Sequence, residues 1–280
     1  ATQGLYPPGS TFKILTTLEY LREFPNDYMN YTYDCQGSMS QGDVTIKCYD
    51  YEVHGFEDLQ GSFQHSCNTS FANIGLQLDN DKFAQMCESV MFNGKLPTVL
   101  PYSSSQFTLN GNSSVGETMQ TAIGQGDTLV SPFHMAMIVS AVANDGVLMT
   151  PYFVDHIENS DGIKVSDTKA IQYKKLMESD EARILNEYMQ SVVNGGTASS
   201  LSGMGYSVAG KTGSAEYEVN GNTGSEDNFS THSWFVGFSN VEDPDIVVSV
   251  IAEDGGTGSS AAVPIAREVF NSYYNYVKTY

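Results

Sequence analysis

"YPPGSTFKILTTLEYL", residues 6–21, sets a Pro-Pro-Gly corner directly before a run of apolar residues at helical spacing. Proline suits a helix entry and disrupts a helix interior, so the corner marks a start. Ile14, Leu15, Leu18 and Leu21 then share one face, which predicts a helix from Ser10 to about Arg22 that Pro25 ends. Ser10 and Lys13, three positions apart, fall on the same side of that helix, with the amine in reach of the hydroxyl. A serine hydroxyl is a weak nucleophile until a base takes its proton, and a lysine shielded from water can be that base. The helix N-terminus adds a positive dipole end. A capping serine beside a solvated lysine explains the same residues equally simply, so the pair needs support elsewhere in the chain.

Two further stretches supply it. Ser66-Cys67-Asn68 stands between two predicted helices, about 57–65 and 67–78. There a serine can relay a proton, and an asparagine amide can hold a peptide by paired donor and acceptor. An ordinary helix cap accounts for both residues as well. Lys211-Thr212-Gly213-Ser214 lies on a predicted strand. One amine and two hydroxyls there make a cradle for a carboxylate, and Gly213 leaves the backbone bare for a ligand. A lysine-guarded strand edge with a glycine bulge is the plainer alternative.

The remaining pattern places these motifs in a fold. Short strands such as Val44–Lys47 punctuate a loop-rich segment over 26–56. A helix capped by Asp79 or Asn80 runs to about Phe92, and the segment 93–115 is loop-like. Another helix begins near Glu117 and stops at Gly124–Gly126. "SPFHMAMIVSAVANDG", residues 131–146, has Ser131 as cap, Pro132 in the first turn, Gly146 as stop and an apolar surface all round, the mark of a buried helix. Short strands are expected over 147–165 around an Asn-Ser-Asp-Gly turn, and a helix from about Asp180 to Val193. "GYSVAGKTGSAEY", "HSWFVGFS" and "DIVVSVIAE" read as strands, antiparallel because their connections are short. A mobile loop is expected over 219–231, and a helix from about Ala262 to Val277 closes the chain. Helices first and strands later point to an α+β fold, an antiparallel sheet flanked by helices plus an all-helical subdomain. The whole of 1–280 is read as one domain, helical over about 10–200 and sheet with a closing helix over about 203–280.

Composition narrows the function. The formal net charge of −20, from 13 Lys and Arg against 33 Asp and Glu, argues against nucleic acid as a partner. No stretch is long and apolar enough to span a membrane or to serve as a signal peptide, so any membrane anchor is absent from this chain. Cys35, Cys48, Cys67 and Cys87 do not make a disulfide scaffold. Cys35 and Cys48 bracket a short segment that an oxidising compartment could bridge, and free thiols are the default. Their spacing matches no common zinc pattern. His54, His65, His134 and His232 have no partner at metal spacing, so no metal and no cofactor are assigned. Trp234, beside Phe235 and Phe238, is expected in the core or a groove wall. The Gly255–Gly258 loop lacks the lysine a phosphate loop needs.

The order S-x-x-K, S-x-N, K-T-G, with gaps of about 50 and about 140 residues, is far more specific than any one motif. With "HSCNTSF", "IGQGDTLVSPFHMA", "ANDGVLMTPYFV", "VAGKTGSAE" and "SWFVGF", the chain resembles the penicillin-recognising serine acyltransferases, and more narrowly the transpeptidase domain of class B penicillin-binding proteins. The resemblance covers residue 2 to about 275. It implies a D,D-transpeptidase that cross-links peptidoglycan stem peptides and is acylated by β-lactams, acting outside a bacterial membrane beside a membrane glycosyltransferase. Ser10 is then the nucleophile and Lys13 its base. Ser66, with Lys13 or Lys211, passes the proton to the leaving nitrogen. Asn68 holds the substrate amide and orients Lys13. Lys211 supplies positive potential, Thr212 and Ser214 bind the terminal carboxylate at Gly213, and the N–H groups of Ser10 and Ser214 form the oxyanion hole. Ser214 stands where threonine is common. Family members carry strands before the nucleophile helix, whereas nine residues precede Ser10 here, so a sheet without those strands is expected. A class D-like β-lactamase, a D-alanine carboxypeptidase and a β-lactam sensor share much of this pattern and stay open.

Overall fold

Pro7 and Pro8 lead into a 3-10 turn, Gly9–Phe12, that passes without a break into α1, Lys13–Glu23. Phe24 leaves the helical region because proline at the next position disfavours it. The structure, a computed structural model, describes residues 1–218 and 229–278. In α1 every residue from Lys13 to Leu21 is buried. The helix is therefore enclosed on all sides and not half-solvated, and α3 (Asn68–Gly75), α4 (Asn80–Ser89) and α7 (Ser179–Gly195) pack against it. Ile14, Leu15 and Leu18 are completely excluded from water. Each such side chain contributes about 2 kcal/mol relative to exposure.

Local chemistry sets the helix starts. Asp58 accepts from the Gly61 N–H to open α2, Leu59–Gln64. Asp79 accepts from Asp81 and Lys82 to open α4. Ser114 and Glu117 form a reciprocal capping box, so α5 runs Val115–Ala122 and starts two residues before the position read from the apolar period. Ser131 caps α6, Pro132–Ala143, by accepting from His134. The His134 ring is enclosed between Ser105 Oγ (2.8 Å) and the Val90 carbonyl (2.7 Å).

Three long strands form the main sheet: β9 (Val208–Glu218), β10 (Phe229–Ser239) and β11 (Ile246–Ala252). Their order is β11-β10-β9, all antiparallel, with Trp234 opposite Gly213 and Val236 opposite Lys211. The helix α8, Val263–Ser272, lies on this sheet, flanked by π-helical turns at Gly258–Ala262 and Tyr273–Val277. Trp234 is fully buried, as its alternating strand implies. Of the loop expected over 219–231, residues 219–228 lie outside the described residues, and Phe229 already belongs to β10.

The segment 26–58 folds as two small ladders, β1 (Thr32–Cys35) with β4 (Gly55–Asp58) and β2 (Ser38–Gln41) with β3 (Val44–Lys47). A third exposed region pairs β5 (Val147–Met149) with β8 (Gln172–Lys175), and β6 (His156–Glu158) with β7 (Lys164–Asp167). The strand β8 has no counterpart in the sequence reading, since all four of its residues face solvent and show no alternation.

Glu19 is the anomaly of the central helix, an acidic side chain that is almost wholly buried. Burial, reinforced by the nearby Glu23, pushes its pKa up to about 7, while Arg22 and Lys82 oppose the shift. Between about pH 4.5 and 7 the folded chain keeps a proton that the unfolded chain has released, so this group makes stability fall as pH rises. Glu19→Gln is expected to stabilise the protein by about 1–3 kcal/mol above neutrality and by little in acid. Denaturant unfolding of both proteins at the two pH values checks this. An equal effect at both would show that Glu19 ionises normally.

Candidate active site

Ser10 sits in the 3-10 turn that precedes α1, and that turn is clamped from several directions. The Gly9 N–H donates to the Gly124 carbonyl at 2.9 Å, and Trp234 Nε1 donates to the Pro7 carbonyl at 3.0 Å. Gly9 has φ +53° and Gly124 φ +80°, in the left-handed region that favours glycine. A Cβ on Gly9 would lie 2.6 Å from the Ser214 carbonyl oxygen, and one on Gly124 would lie 1.9 Å from the Gly9 carbonyl oxygen. Gly213 is required for the same reason: its Cβ would lie 2.9 Å from the Pro8 carbonyl oxygen. The bare backbone read from the sequence as room for a ligand is thus occupied, on this side, by the turn that carries Ser10. The first and third motifs are pressed together, which brings Ser10 and Ser214 to neighbouring positions.

Lys13 does not hydrogen-bond to the Ser10 hydroxyl. Its Nζ reaches across to the second motif instead, donating to the Ser66 carbonyl (2.6 Å), Ser66 Oγ (3.3 Å) and Asn68 Oδ1 (2.8 Å). Lys211 approaches the same serine from β9, with Nζ 2.9 Å from Ser66 Oγ and 3.3 Å from the Thr212 carbonyl. Both lysines are fully buried, Lys13 over the Phe71 ring at 5.2 Å and Lys211 over Phe63 at 5.5 Å. Burial brings Lys13 down to about 8, against the partly restoring charges of Cys67, Cys48 and Glu57. Burial also holds Lys211 well below the ordinary lysine value, with the charge of Lys13 adding to the effect. Both shifts raise the share of neutral amine, the form a general base requires, and Lys13 at about 8 gains that form as pH rises through this value.

Asn68 is fixed at both ends of its amide: Oδ1 accepts from Lys13, and Nδ2 donates to the Lys47 carbonyl at 2.9 Å. Its second amide hydrogen is what it has left to offer a substrate. Ser66 holds φ +60°, uncommon for a residue with a side chain and of the kind that clusters at functional sites.

On β9, Thr212 shares a 2.5 Å hydroxyl contact with Thr197, and Ser214 Oγ accepts from the Gly258 N–H at 3.1 Å. Gln125 Nε2 donates to the Ser214 carbonyl at 3.5 Å. The sequence reading missed Thr197, Gln125 and Gly258 as supports of the cradle. Their stretches, Gly195-Gly196-Thr197, Gly124-Gln125-Gly126 and Gly255-Gly256-Thr257-Gly258, signal turns, and their roles exist only across the fold. Cys35, Cys48, His54 and Cys67 also converge, directly behind the second motif, although the cysteine spacing matches no common zinc pattern and His54 was read as without a partner at metal spacing.

The family model "Penicillin binding protein transpeptidase domain" matches residues 1–271. The chain is 28% identical over 275 residues to the peptidoglycan D,D-transpeptidase PbpA of Mycolicibacterium smegmatis, covering 95% of this chain and 55% of that protein. It is 29% identical over 271 residues to the stage V sporulation protein D of Bacillus subtilis, covering 94% of this chain and 41% of that protein. It thus spans about half the length of the curated relatives it matches. Among solved structures, the penicillin G acyl-enzyme complex of penicillin-binding protein A from M. tuberculosis superposes with a TM-score of 0.84 at 25% identity, covering 98% of this chain and 62% of that one. The D,D-transpeptidase domain of a peptidoglycan glycosyltransferase from Eggerthella lenta gives 0.83 at 28% identity, covering 99% and 67%. By its motifs, its fold and the extent of the match, the chain belongs to the penicillin-binding protein transpeptidase domain family.

Proposed function

We propose that this chain catalyses peptidoglycan D,D-transpeptidation through a serine acyl-enzyme. One observation carries the reading: the Ser66 hydroxyl is held between two buried amines, those of Lys13 and Lys211. Ser10 attacks the carbonyl between two D-alanines of a stem peptide. Lys13, shifted toward its neutral form, takes the hydroxyl proton. The N–H groups of Ser10 and Ser214 stabilise the tetrahedral oxyanion, each such donor contributing roughly 3 kcal/mol. Ser66 passes a proton to the leaving D-alanine nitrogen. An amine of a second stem peptide then takes the acyl group and frees Ser10.

The donor peptide ends in a carboxylate, and Lys211, Thr212 and Ser214 make its cradle. Without an anion nearby, burial disfavours the charged form of Lys211. A docked carboxylate supplies the counter-charge and raises the lysine back toward its cationic form. Substrate binding and charging of Lys211 are then one event. This reading places the chain outside a bacterial membrane, working with a membrane glycosyltransferase that supplies glycan strands.

Intact mass after incubation with penicillin G is expected to show one covalent adduct on the wild-type chain and none on Ser10→Ala. An unmodified, folded wild-type chain would sink the proposal. Persistence of the adduct separates transpeptidase from β-lactamase, which would clear it within seconds. A D-Ala-D-Ala thioester donor offered with a D-amino acid acceptor is expected to give the aminolysis product. Hydrolysis alone would indicate a carboxypeptidase, and no turnover at all a sensor.

The acylation rate is expected to rise with pH and to level off above about 8, the value to which burial brings Lys13. The sign follows from the role, since only the neutral amine accepts the proton. A rate independent of pH across this range would remove Lys13 as the base. Ser66→Ala is expected to slow acylation by about a hundredfold or more without changing the mass of the adduct.

A further inference from the structure

Glu19, the buried acid of α1, borders a groove that the reaction does not use. Glu19, Arg22 and Glu23 stand three and four positions apart on α1, so they share one side of that helix. Lys82, Gln85 and Met86 repeat the same spacing on α4. The two rows face each other across a cavity of about 460 Å³. Its volume is in the range of ligand-binding sites. Glu19 lies six residues beyond Lys13, roughly 9 Å further along the helix axis.

The other charges that line this groove are matched. Arg22 donates to the two oxygens of Glu181 on α7 at 3.0 and 3.2 Å, and to the Leu176 carbonyl at 3.0 Å. Lys82 Nζ lies 3.2 Å from Glu23 Oε2, while Glu23 Oε1 accepts from the Asp79 N–H at 2.8 Å. Glu19 differs. It is 3% exposed, and among the described residues it has no hydrogen bond and no ion pair. Burying a carboxylate without a partner is costly. Burial and the neighbouring Glu23 accordingly push its pKa up to about 7, Asp79 adds weakly, and Arg22 and Lys82 do not fully oppose them. A residue that lowers stability once it ionises is the kind a protein keeps for binding and not for folding.

We propose that the groove between α1 and α4 receives an arginine side chain of a partner polypeptide, its guanidinium paired with the Glu19 carboxylate. Charge complementarity selects a cation. Glu19, Glu23 and Glu181 face only Arg22 and Lys82 here, and the net charge of −20 steers basic segments toward the chain. An anion finds no free cation, because both are already paired. A guanidinium sheds water more readily than an ammonium and offers a carboxylate two parallel N–H groups. A lone cation would leave most of the cavity empty, whereas an arginine with its adjoining backbone fills it. The buried Met86 gives its methylenes an apolar wall. Gln85 is exposed at the rim, where its amide is available to a peptide backbone. None of the reacting groups takes part, so the groove stands whether or not the chain is a transpeptidase.

The test titrates the whole chain with the tripeptide acetyl-Ala-Arg-Ala-amide by calorimetry at pH 8 and low salt. One site of about millimolar affinity or tighter is expected. The citrulline tripeptide, a neutral isostere, is expected not to bind, and the lysine tripeptide to bind more weakly. Glu19→Gln is expected to weaken binding at least tenfold, and Glu88→Gln, on an exposed position of α4 outside the groove, to leave it unchanged. Because Glu19→Gln is expected to be the more stable protein, lost binding is not lost folding, and circular dichroism checks this. At pH 6 affinity is expected to fall about tenfold, since the cation binds ionised Glu19 and the tripeptide itself does not titrate in this range. No binding, equal binding of the citrulline tripeptide, or unchanged binding to Glu19→Gln overturns the site. Equal affinity at the two pH values overturns the pairing with Glu19. A lysine tripeptide that binds as tightly overturns the guanidinium preference, and N-methylguanidine that binds as tightly as the arginine tripeptide overturns a polypeptide as occupant.

Discussion

Two lysine ammonium groups taken out of water and aimed at one serine oxygen form an arrangement that water would never favour. Lys13 and Lys211 are fully buried and both reach Ser66 Oγ. Each loses its hydration, and neither gains a carboxylate among its hydrogen-bond partners, which are the hydroxyl, amide and carbonyl oxygens of Ser66, Asn68 and Thr212. The faces of Phe71 and Phe63 return part of that loss. Two like charges so close cannot both persist in a low dielectric. The unfavourable term is relieved by giving up a proton, and a lysine that has given up its proton is a base.

That constraint explains why α1 is enclosed. A lysine on a half-solvated helix would turn to water and keep its charge. On α1 every position from Lys13 to Leu21 is buried, so the amine has only the second motif to reach for. The glycines serve the same end. Gly9, Gly124 and Gly213 let three stretches of backbone meet at distances no side chain tolerates. The turn carrying Ser10 therefore cannot drift from β9, and Thr212–Ser214 stay in register with Ser10.

Much of this was legible in the sequence, and the exceptions have physical reasons. Helical periodicity marked α1, and the caps at Asp79 and Ser131 marked α4 and α6. The strand Val44–Lys47 and the three long strands followed from alternation and turn residues. The three motifs announced the family because their order is rare by chance. Local spacing put Lys13 over Ser10, whereas the amine lies on Ser66, because a partner 53 residues away outranks the neighbour on the same helix. Thr197 was invisible because a lone threonine in a glycine-rich turn carries no signal until β9 brings Thr212 to it. The thiol cluster was missed for a related reason. Cys35 and Cys48 stand 13 residues apart and Cys48 and Cys67 stand 19 apart, and neither gap follows a helix or a knuckle turn.

The charge of the whole molecule at first opposes the proposed reaction, since a chain of net charge −20 would have to attract a peptide that ends in a carboxylate. Distance resolves the conflict. Surface charges are screened over about 8 Å at physiological salt, and much of this acidity is exposed or tied in local ion pairs such as Arg183 with Glu187. At the site the nearest ionisable partners of the second motif are two amines, in a medium that magnifies their field. An anion arriving there meets an amine whose charged form burial disfavours, and its own charge favours protonation of that amine. Under that mechanism discrimination comes from the coupling itself. A peptide without a terminal carboxylate brings no counter-charge to Lys211, so it does less to create the positive potential that its own acylation requires.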